Sequence, residues 1–178
     1  MSPRFDASAA AFIRAALASH QDGLLRYASR ILADPERARD VVQETFLRLW
    51  KQDPADIEDH LPEWLYTVCR RCALDVLRKE GRMSRFEEGQ LEQVPAMAPH
   101  PGDTAESRDT AAQAADLVNR LPPRQQEVIR LKFQGGFSYK EISRITGLSV
   151  GNVGFIIHTA VKSLRAGMST DTTVGHGS

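Results

Sequence analysis

The spacing of apolar residues is the feature that most limits which fold this chain can adopt. Large apolar side chains recur three or four residues apart in nearly every periodic segment. The clearest stripe follows Pro62 and consists of Leu65, Val68, Cys69, Cys72, Val76 and Leu77. This spacing predicts one buried face of an α-helix. No segment alternates β-branched and polar residues in the manner of a half-buried strand. The sequence therefore predicts an all-α fold.

Capping residues and prolines predict where the helices begin and end. Asp34 is an N-cap followed by Pro35, which loses no hydrogen bond at the first helical position. Gly135 and Gly136 end a helix that opens at Pro122 and Pro123. The expected helices are residues 8–19, 23–32 (with Asp22 as N-cap), 34–51, 62–81, 105–120 and 123–133, with a loop between 53 and 62.

Charge divides the chain although its 23 basic and 23 acidic residues cancel. Residues 1–85 carry 14 Lys or Arg and 13 Asp or Glu, residues 86–119 carry 1 and 7, and residues 120–178 carry 8 and 3. The net charges are therefore +1, −6 and +5. Residues 81–104 place three prolines among Glu, Gln and Ala, which predicts a flexible stretch. We expect two small helical domains, at 8–85 and 120–168, an acidic flexible linker at 86–119 and a disordered tail at 169–178.

The segment 137–168 has the pattern of a helix-turn-helix. Ser138 and Glu141 form a capping box, Gly147 suits a sharp turn, and Ser149 caps the next helix. The residues expected to point inward are Ile142, Ile145, Val150, Val153, Ile157, Val161 (or Ala160) and Leu164. Two helices joined by a short turn that contains glycine are the DNA-reading motif, although a helical hairpin inside any all-α domain has the same spacing. The basic side chains suited to phosphates are Lys140, Arg144, Lys162 and Arg165.

Four motifs in order resemble a known family. Residues 40–50 (DVVQETFLRLW), 64–78, 121–128 (LPPRQQEV) and the helix-turn-helix are similar to bacterial sigma factors of the extracytoplasmic-function (ECF) group of the sigma-70 family. The resemblance implies a region 2 helical bundle that binds core RNA polymerase and opens the −10 promoter element. It also implies a region 4 helix-turn-helix that reads the −35 element, and no catalytic chemistry or cofactor. The implied partners are core polymerase, promoter DNA and an anti-sigma protein.

The resemblance assigns polymerase contact to one side of the helix at 34–51. Asp40, Gln43, Glu44 and Leu47 fall opposite the apolar side, on which we place Val42, Phe46, Leu49 and Trp50. A polar face with one exposed leucine suits a docking surface. A solvated charged face is the alternative interpretation.

The helix after Pro62 carries a basic set that we interpret as a phosphate track: Arg70, Arg71, Arg78, Lys79 and Arg82. Holding an unstacked base also needs stacking or a pocket. Trp64 and Tyr66 are the aromatic residues near the helix start, and Trp64 as a core residue is an equal alternative. In the family the preceding loop captures a flipped base. Here residues 52–61 are unusually acidic, and which residue captures a base stays open.

The recognition helix departs from the family pattern. Gly154, Ile156 and Thr159 stand where basic residues are common, as Arg71 stands where the family usually has Asn in the −10 helix. Direct reading of guanine by arginine is therefore largely absent. The expected DNA contacts are Ser149, Asn152 (adenine), Phe155 (thymine methyls) and His158 (base or phosphate). Alternatively, Phe155 and Ile156 form an apolar patch for a protein partner.

Cys69 and Cys72 form a Cys-x-x-Cys on the apolar face of their helix. We interpret them as buried small hydrophobes, with redox sensing as the alternative, because no second pair or nearby histidine indicates zinc. No apolar run is long enough for a membrane span and no signal peptide is recognised, so we expect a cytoplasmic protein that does not insert into a membrane. The alternative functions are a helix-turn-helix regulator that does not engage polymerase and a protein-interaction adaptor.

Overall fold

A computed structural model describes residues 7–82 and 105–171 of the chain. These two ranges contain helices and no strand, which confirms the all-α prediction. The helices are α1 (Ala7–Leu32), α2 (Pro35–Leu49), α3 (Pro54–Ile57), a 3-10 turn (Glu58–His60), α4 (Leu61–Lys79), α5 (Ala105–Asn119), α6 (Pro123–Phe133), α7 (Tyr139–Thr146) and α8 (Val150–Asp171). They form two compact units, the first built on α1–α4 and the second on α5–α8. Most of the expected linker, at 86–104, and the end of the expected tail, at 172–178, lie outside the described residues.

The core of the first unit lies where α1, α2 and α4 pack against one another. The largest fully buried side chains there are five leucines: Leu24, Leu32, Leu49, Leu65 and Leu77. On α4 the predicted stripe is confirmed for Leu65, Cys69, Cys72 and Leu77, whereas Val68 and Val76 lie at its edge and are half-buried.

Helix α1 is continuous, so the prediction of two helices separated near Asp22 was wrong. Asp22 is exposed in the middle of the helix and caps nothing. Gly23 serves close packing instead of a helix start, because a Cβ at this position would lie 2.7 Å from the Tyr66 hydroxyl oxygen of α4. Burial of Leu24, Tyr27 and Ala28 against the rest of the unit outweighs the helix-breaking tendency of glycine, which is about 1 kcal/mol.

The turn between α1 and α2 is only two residues long. Ala33 takes the left-handed conformation with φ of +54°. The Asp34 carboxylate then accepts hydrogen bonds from the backbone N–H groups of Glu36, at 2.9 Å, and Arg37, at 3.2 Å, which confirms the predicted N-cap. The guanidinium of Arg82 donates to the Leu32 carbonyl at 2.8 Å. The end of α1 is therefore bound to the segment that follows α4.

The connection between α2 and α4 is helical, where the sequence predicted a loop. Asp53 caps the single turn of α3 by accepting from the Ala55 N–H at 3.0 Å. Ile57 is buried. One inward apolar side chain and one cap therefore suffice to order this short segment.

In the second unit, α6 packs on α8, and α5 contacts both. The buried side chains are Leu121, Val128, Ile129, Leu131, Phe137, Ile142, Ile145, Val153, Ile156, Ile157 and Ala160. The Gln126 side-chain amide donates to the carbonyl oxygens of Asn119, at 2.9 Å, and Leu121, at 2.7 Å. Helix α5 matches the expected helix at 105–120 and falls inside the segment that we assigned to the linker.

The helix-turn-helix has the predicted local geometry. Ser138 and Glu141 form the capping box, with the Ser138 N–H donating to the Glu141 carboxylate at 2.6 Å. Gly147 has φ of +76°, a left-handed conformation that glycine adopts without Cβ strain. The Ser149 hydroxyl oxygen accepts from the Asn152 N–H at 3.1 Å and caps α8. Helix α8 continues to Asp171, beyond the expected end at 168.

One prediction about the faces of α8 was wrong, and one alternative is contradicted. Val150 is 43% exposed at the first residue of the helix instead of pointing inward. Ile156 is buried beside Val153 and Ile157, so it does not form an exposed patch with Phe155. Of the two residues weighed for the next inward position, Ala160 is fully buried and Val161 is only half-buried. The predicted inward positions Val153, Ile157 and Ala160 are confirmed, and the buried face includes Ile156 and excludes Val150.

Asp34 and Asp22 form a matched pair for a stability test. Replacing Asp34 with Ala removes a cap that satisfies two backbone N–H groups, so we expect the free energy of unfolding to fall by about 1 kcal/mol. Asp22→Ala should cause no loss, because alanine is the better residue inside a helix. Urea unfolding followed by circular dichroism measures both. Equal losses for the two variants would contradict the assigned cap and the continuous α1.

Candidate polymerase and nucleic-acid surfaces

The outer face of α2 carries all four residues assigned to polymerase contact. Asp40, Gln43, Glu44 and Leu47 are exposed, and Leu47 is exposed at 53%. The opposite face of α2 consists of the buried residues Val41, Val42, Thr45, Phe46 and Leu49. An exposed ion pair joins Glu44 to Arg48, with 2.8 Å between the carboxylate oxygen and Nε. The sequence therefore placed this face correctly.

Trp50 belongs to the same outer face and was misassigned. It is the C-cap residue of α2 and is 47% exposed, although we expected it on the apolar side. Gln43, Leu47 and Trp50 are spaced by four and then three residues, so they follow one line along a helix. Trp50 also follows Val42 and Phe46 in steps of four residues, so helical spacing alone did not distinguish the outer face from the apolar face. We call the five residues Asp40, Gln43, Glu44, Leu47 and Trp50 the α2 outer face.

The basic set on α4 is only partly a continuous surface. Arg71, Arg78 and Lys79 are exposed on α4, with Arg71 two turns before Arg78. Asp75 lies between them, and its carboxylate is 2.7 Å from Nη1 of Arg78. Such an exposed pair is worth at most about 1 kcal/mol, so Arg78 can exchange this partner for a phosphate at small cost. We call Arg71, Arg78 and Lys79 the α4 basic face.

The two remaining basic residues of the predicted phosphate track have different surroundings. Arg82 is half-buried, and its guanidinium binds the Leu32 carbonyl and the Glu80 carboxylate, the latter at 3.2 Å. Arg70 is also half-buried. The contacts of Arg82 give it a structural role that helical spacing alone did not indicate.

The aromatic residues at the start of α4 differ in their packing. Tyr66 lies against Tyr27 of α1, with ring centroids 5.0 Å apart, and burial raises the pKa of its hydroxyl. Trp64 is half-buried. Tyr66 therefore contributes to the contact between α1 and α4, and of the two rings only Trp64 is left as a candidate for stacking on a base.

The second unit presents its predicted DNA contacts on α7 and α8. Lys140 and Arg144 are exposed one turn apart on α7. Ser149, Asn152, Phe155, His158 and Lys162 are exposed along α8, and Phe155 is exposed at 68%. These α8 residues recur at helical spacing opposite the buried side chains of Val153, Ile156, Ile157 and Ala160. The exposed side of α8 is therefore polar and aromatic.

Cys69 and Cys72 are both buried as free thiols. Burial raises the pKa of the Cys69 thiol to about 12 and raises that of Cys72 as well. Their surroundings agree with the interpretation as small core residues. Within residues 7–82 and 105–171, no cluster of histidine, cysteine or carboxylate side chains could hold a metal ion. In the same ranges no helix is both long and apolar enough to cross a membrane.

Comparison with known proteins assigns the fold to a family. Residues 16–83 match the family model of sigma-70 region 2, and residues 111–164 match that of sigma-70 region 4. The second match begins inside α5. The chain belongs to the sigma-70 family of transcription initiation factors, in its extracytoplasmic-function group.

Individual relatives agree with this assignment. The chain is 34% identical over 164 residues to the ECF RNA polymerase sigma factor SigL of Mycobacterium tuberculosis, covering 89% of this chain and 90% of that protein. It is 31% identical over 149 residues to the ECF sigma factor EcfG of Rhodopseudomonas palustris, covering 83% and 80%. Among solved structures, the sigma factor RpoE of Bartonella quintana, crystallised with the anti-sigma factor NepR, has the same fold. Its TM-score is 0.65 at 24% identity, with 89% of this chain and 97% of that chain covered.

Thiol reactivity tests the interpretation of the cysteines. With a pKa of about 12, Cys69 is almost entirely protonated at pH 8, and its thiolate becomes abundant only as the pH approaches that value. We therefore expect iodoacetamide to label Cys69 of the folded chain at pH 8 at least about 100-fold more slowly than Cys69 of the urea-unfolded chain, and to label Cys72 more slowly as well. Mass spectrometry of timed samples measures both rates. Fast labelling of both cysteines with the helical signal intact would support the redox alternative.

Proposed function

We propose that this ECF sigma factor uses the α2 outer face to dock on core RNA polymerase, the α4 basic face to hold the opened −10 region, and α7 and α8 to bind the −35 element. One observation carries the proposal: three chemically different surfaces lie on helices whose opposite sides are buried in two separate cores. A protein of this family needs one surface for polymerase and two for promoter DNA. The chain has no catalytic role or cofactor in this proposal, and it acts in the cytoplasm together with polymerase.

The proposed domain limits follow from the helices and the family matches. For region 2 we keep the predicted limits of residues 8 and 85. Region 4 extends from 105 to 168 instead of beginning at 120, because α5 packs on α6 and α8 and the region 4 match begins at residue 111. The acidic linker then comprises residues 86–104. Its negative charge suits passage through polymerase channels that attract nucleic acid.

An anti-sigma protein is the proposed regulator of this chain. The support is the fold shared with the RpoE of Bartonella quintana, whose structure was solved with an anti-sigma factor bound. Covering the α2 outer face would block polymerase, and covering α8 would block DNA. Regulation by sequestration therefore needs no change in the fold of either unit.

The adaptor alternative is weaker than the sequence suggested. Its support was an apolar patch of Phe155 with Ile156, and Ile156 is buried. Phe155 by itself is a small target for a protein partner. Binding to core polymerase followed by transcription from a promoter library separates the sigma factor from both alternatives, since neither a simple DNA-binding regulator nor an adaptor would direct initiation.

Charge reversal tests the polymerase surface. The double variant Asp40→Lys, Glu44→Lys should bind core polymerase at least about tenfold more weakly, because like charges placed across an interface repel strongly. Asp22→Lys, an exposed reversal on α1, is the control that should bind as the unchanged chain does. Fluorescence titration of labelled chain with core enzyme measures the affinity. Unchanged affinity of the double variant, with helicity intact, would remove this face from the docking role.

Salt dependence tests the α4 basic face. Removing one cation that neutralises a phosphate of an opened strand should make the slope of log K against log salt less steep by about 0.7. We expect this change for Arg71→Gln and for Lys79→Gln in the polymerase holoenzyme on a premelted promoter. Arg14→Gln, an exposed site on α1, should leave the slope unaltered. If all three variants keep the original slope, the α4 basic face does not bind phosphates.

A further inference from the structure

The exposed side of α8 lacks cations where a recognition helix reads base edges. From Ser149 through Thr159 the chain contains no lysine or arginine, and the next basic residue is Lys162. The residues near the helix N-terminus normally contact base edges. The exposed residues at this end of α8 and just before it are Ser149, Val150, Gly151, Asn152 and Phe155.

Guanine is poorly matched by this surface. The commonest guanine contact is a bidentate pair of donors from arginine or lysine to O6 and N7. A G·C pair also lacks the C5 methyl group of thymine, so it offers the Phe155 ring no apolar group to cover. The surface therefore has no matched partner for a G·C pair.

An A·T pair fits the same surface. The Asn152 amide has one acceptor and two donor hydrogens, which complement N7 and the amino group of adenine. Phe155 lies three residues further along the same face and is exposed at 68%, so its ring can cover a thymine methyl group. Gly151 is exposed, and a Cβ at this position would meet no atom within 4 Å, so α8 presents only backbone to solvent there.

We propose that α8 selects A·T base pairs in the upstream promoter element, with Asn152 binding adenine and Phe155 covering the methyl groups of neighbouring thymines. This inference depends on the proposed function, because it assigns the specificity of the proposed −35 surface. Lys140, Arg144 and Lys162 flank the face and contribute affinity through phosphates without sequence preference.

The first experiment is promoter selection with the reconstituted holoenzyme. Core polymerase carrying the full chain transcribes a library that is randomised across the −35 region, and the transcribed templates are sequenced. A run of A·T pairs with no required guanine supports the inference. A required guanine in the contacted positions overturns the inference while leaving the sigma-factor function intact, and absence of any directed transcription would count against the function itself.

The second experiment assigns the methyl contact to Phe155. Replacing thymine by deoxyuridine removes one methyl group, whose burial is worth roughly a threefold to fivefold change in affinity. Each substitution at a contacted position should weaken binding of the unchanged holoenzyme by this factor. Phe155→Ala should bind the thymine and deoxyuridine templates equally, because the ring that covers the methyl is gone.

Phe133→Ala is the matched control, since Phe133 is a similarly exposed phenylalanine on α6. This variant should keep the full sensitivity to deoxyuridine. Asn152→Ala should lose discrimination at one adenine position while keeping that sensitivity. If the unchanged chain ignores deoxyuridine, or if Phe155→Ala remains as sensitive as the control, the assignment to Phe155 is wrong.

Discussion

The fixed rotation of about 100° per residue along an α-helix is the constraint on which this molecule depends. Once an apolar stripe is buried, every other side chain on that helix has its direction set. In α2, burial of Val42, Phe46 and Leu49 leaves Gln43, Leu47 and Trp50 outward. The binding surfaces are in this sense a consequence of core packing, because the residues that hold the fold together also determine which side chains meet a partner.

The same constraint explains how two small cores support three surfaces. Each unit buries one side of its helices and leaves the other side to solvent. Helices α2 and α4 share a single core, yet one presents carboxylates with apolar side chains and the other presents cations. Each surface can therefore vary in sequence without loss of the fold, since its residues contribute little to the core.

Most of the fold could be predicted from signals that involve residues close together in the sequence. The caps at Asp34 and Ser138 and the turn at Gly147 were predicted because each depends on hydrogen bonds or dihedral angles within a few residues. The family and the α2 outer face followed from motif order and helical spacing. The features that sequence analysis missed depend on contacts between residues far apart in the sequence. Burial of Leu24, Tyr27 and Ala28 against the rest of the unit keeps α1 continuous through Gly23, and the bond from Arg82 to the Leu32 carbonyl joins positions 50 residues apart.

The errors in α8 and at Trp50 have a different origin. Near a helix end, a one-residue shift in the assumed direction moves a side chain by about 100°, which is enough to exchange an inward position for an outward one. Val150 and Trp50 both stand at helix ends, where fewer neighbours define the buried side. In the middle of α8 the sequence did not show which of the adjacent residues Ile156 and Ile157 points inward, and both are buried.

The position of the two thiols limits what this protein can sense. Cys69 and Cys72 lie in the core between helices, where burial keeps their sulfur atoms protonated and shielded from peroxides. A Cys-x-x-Cys in a regulator invites comparison with oxidative-stress switches, but here both side chains pack as small residues of the core. With both thiols buried, we expect any response of this factor to oxidants to begin on a partner molecule that releases or captures the chain.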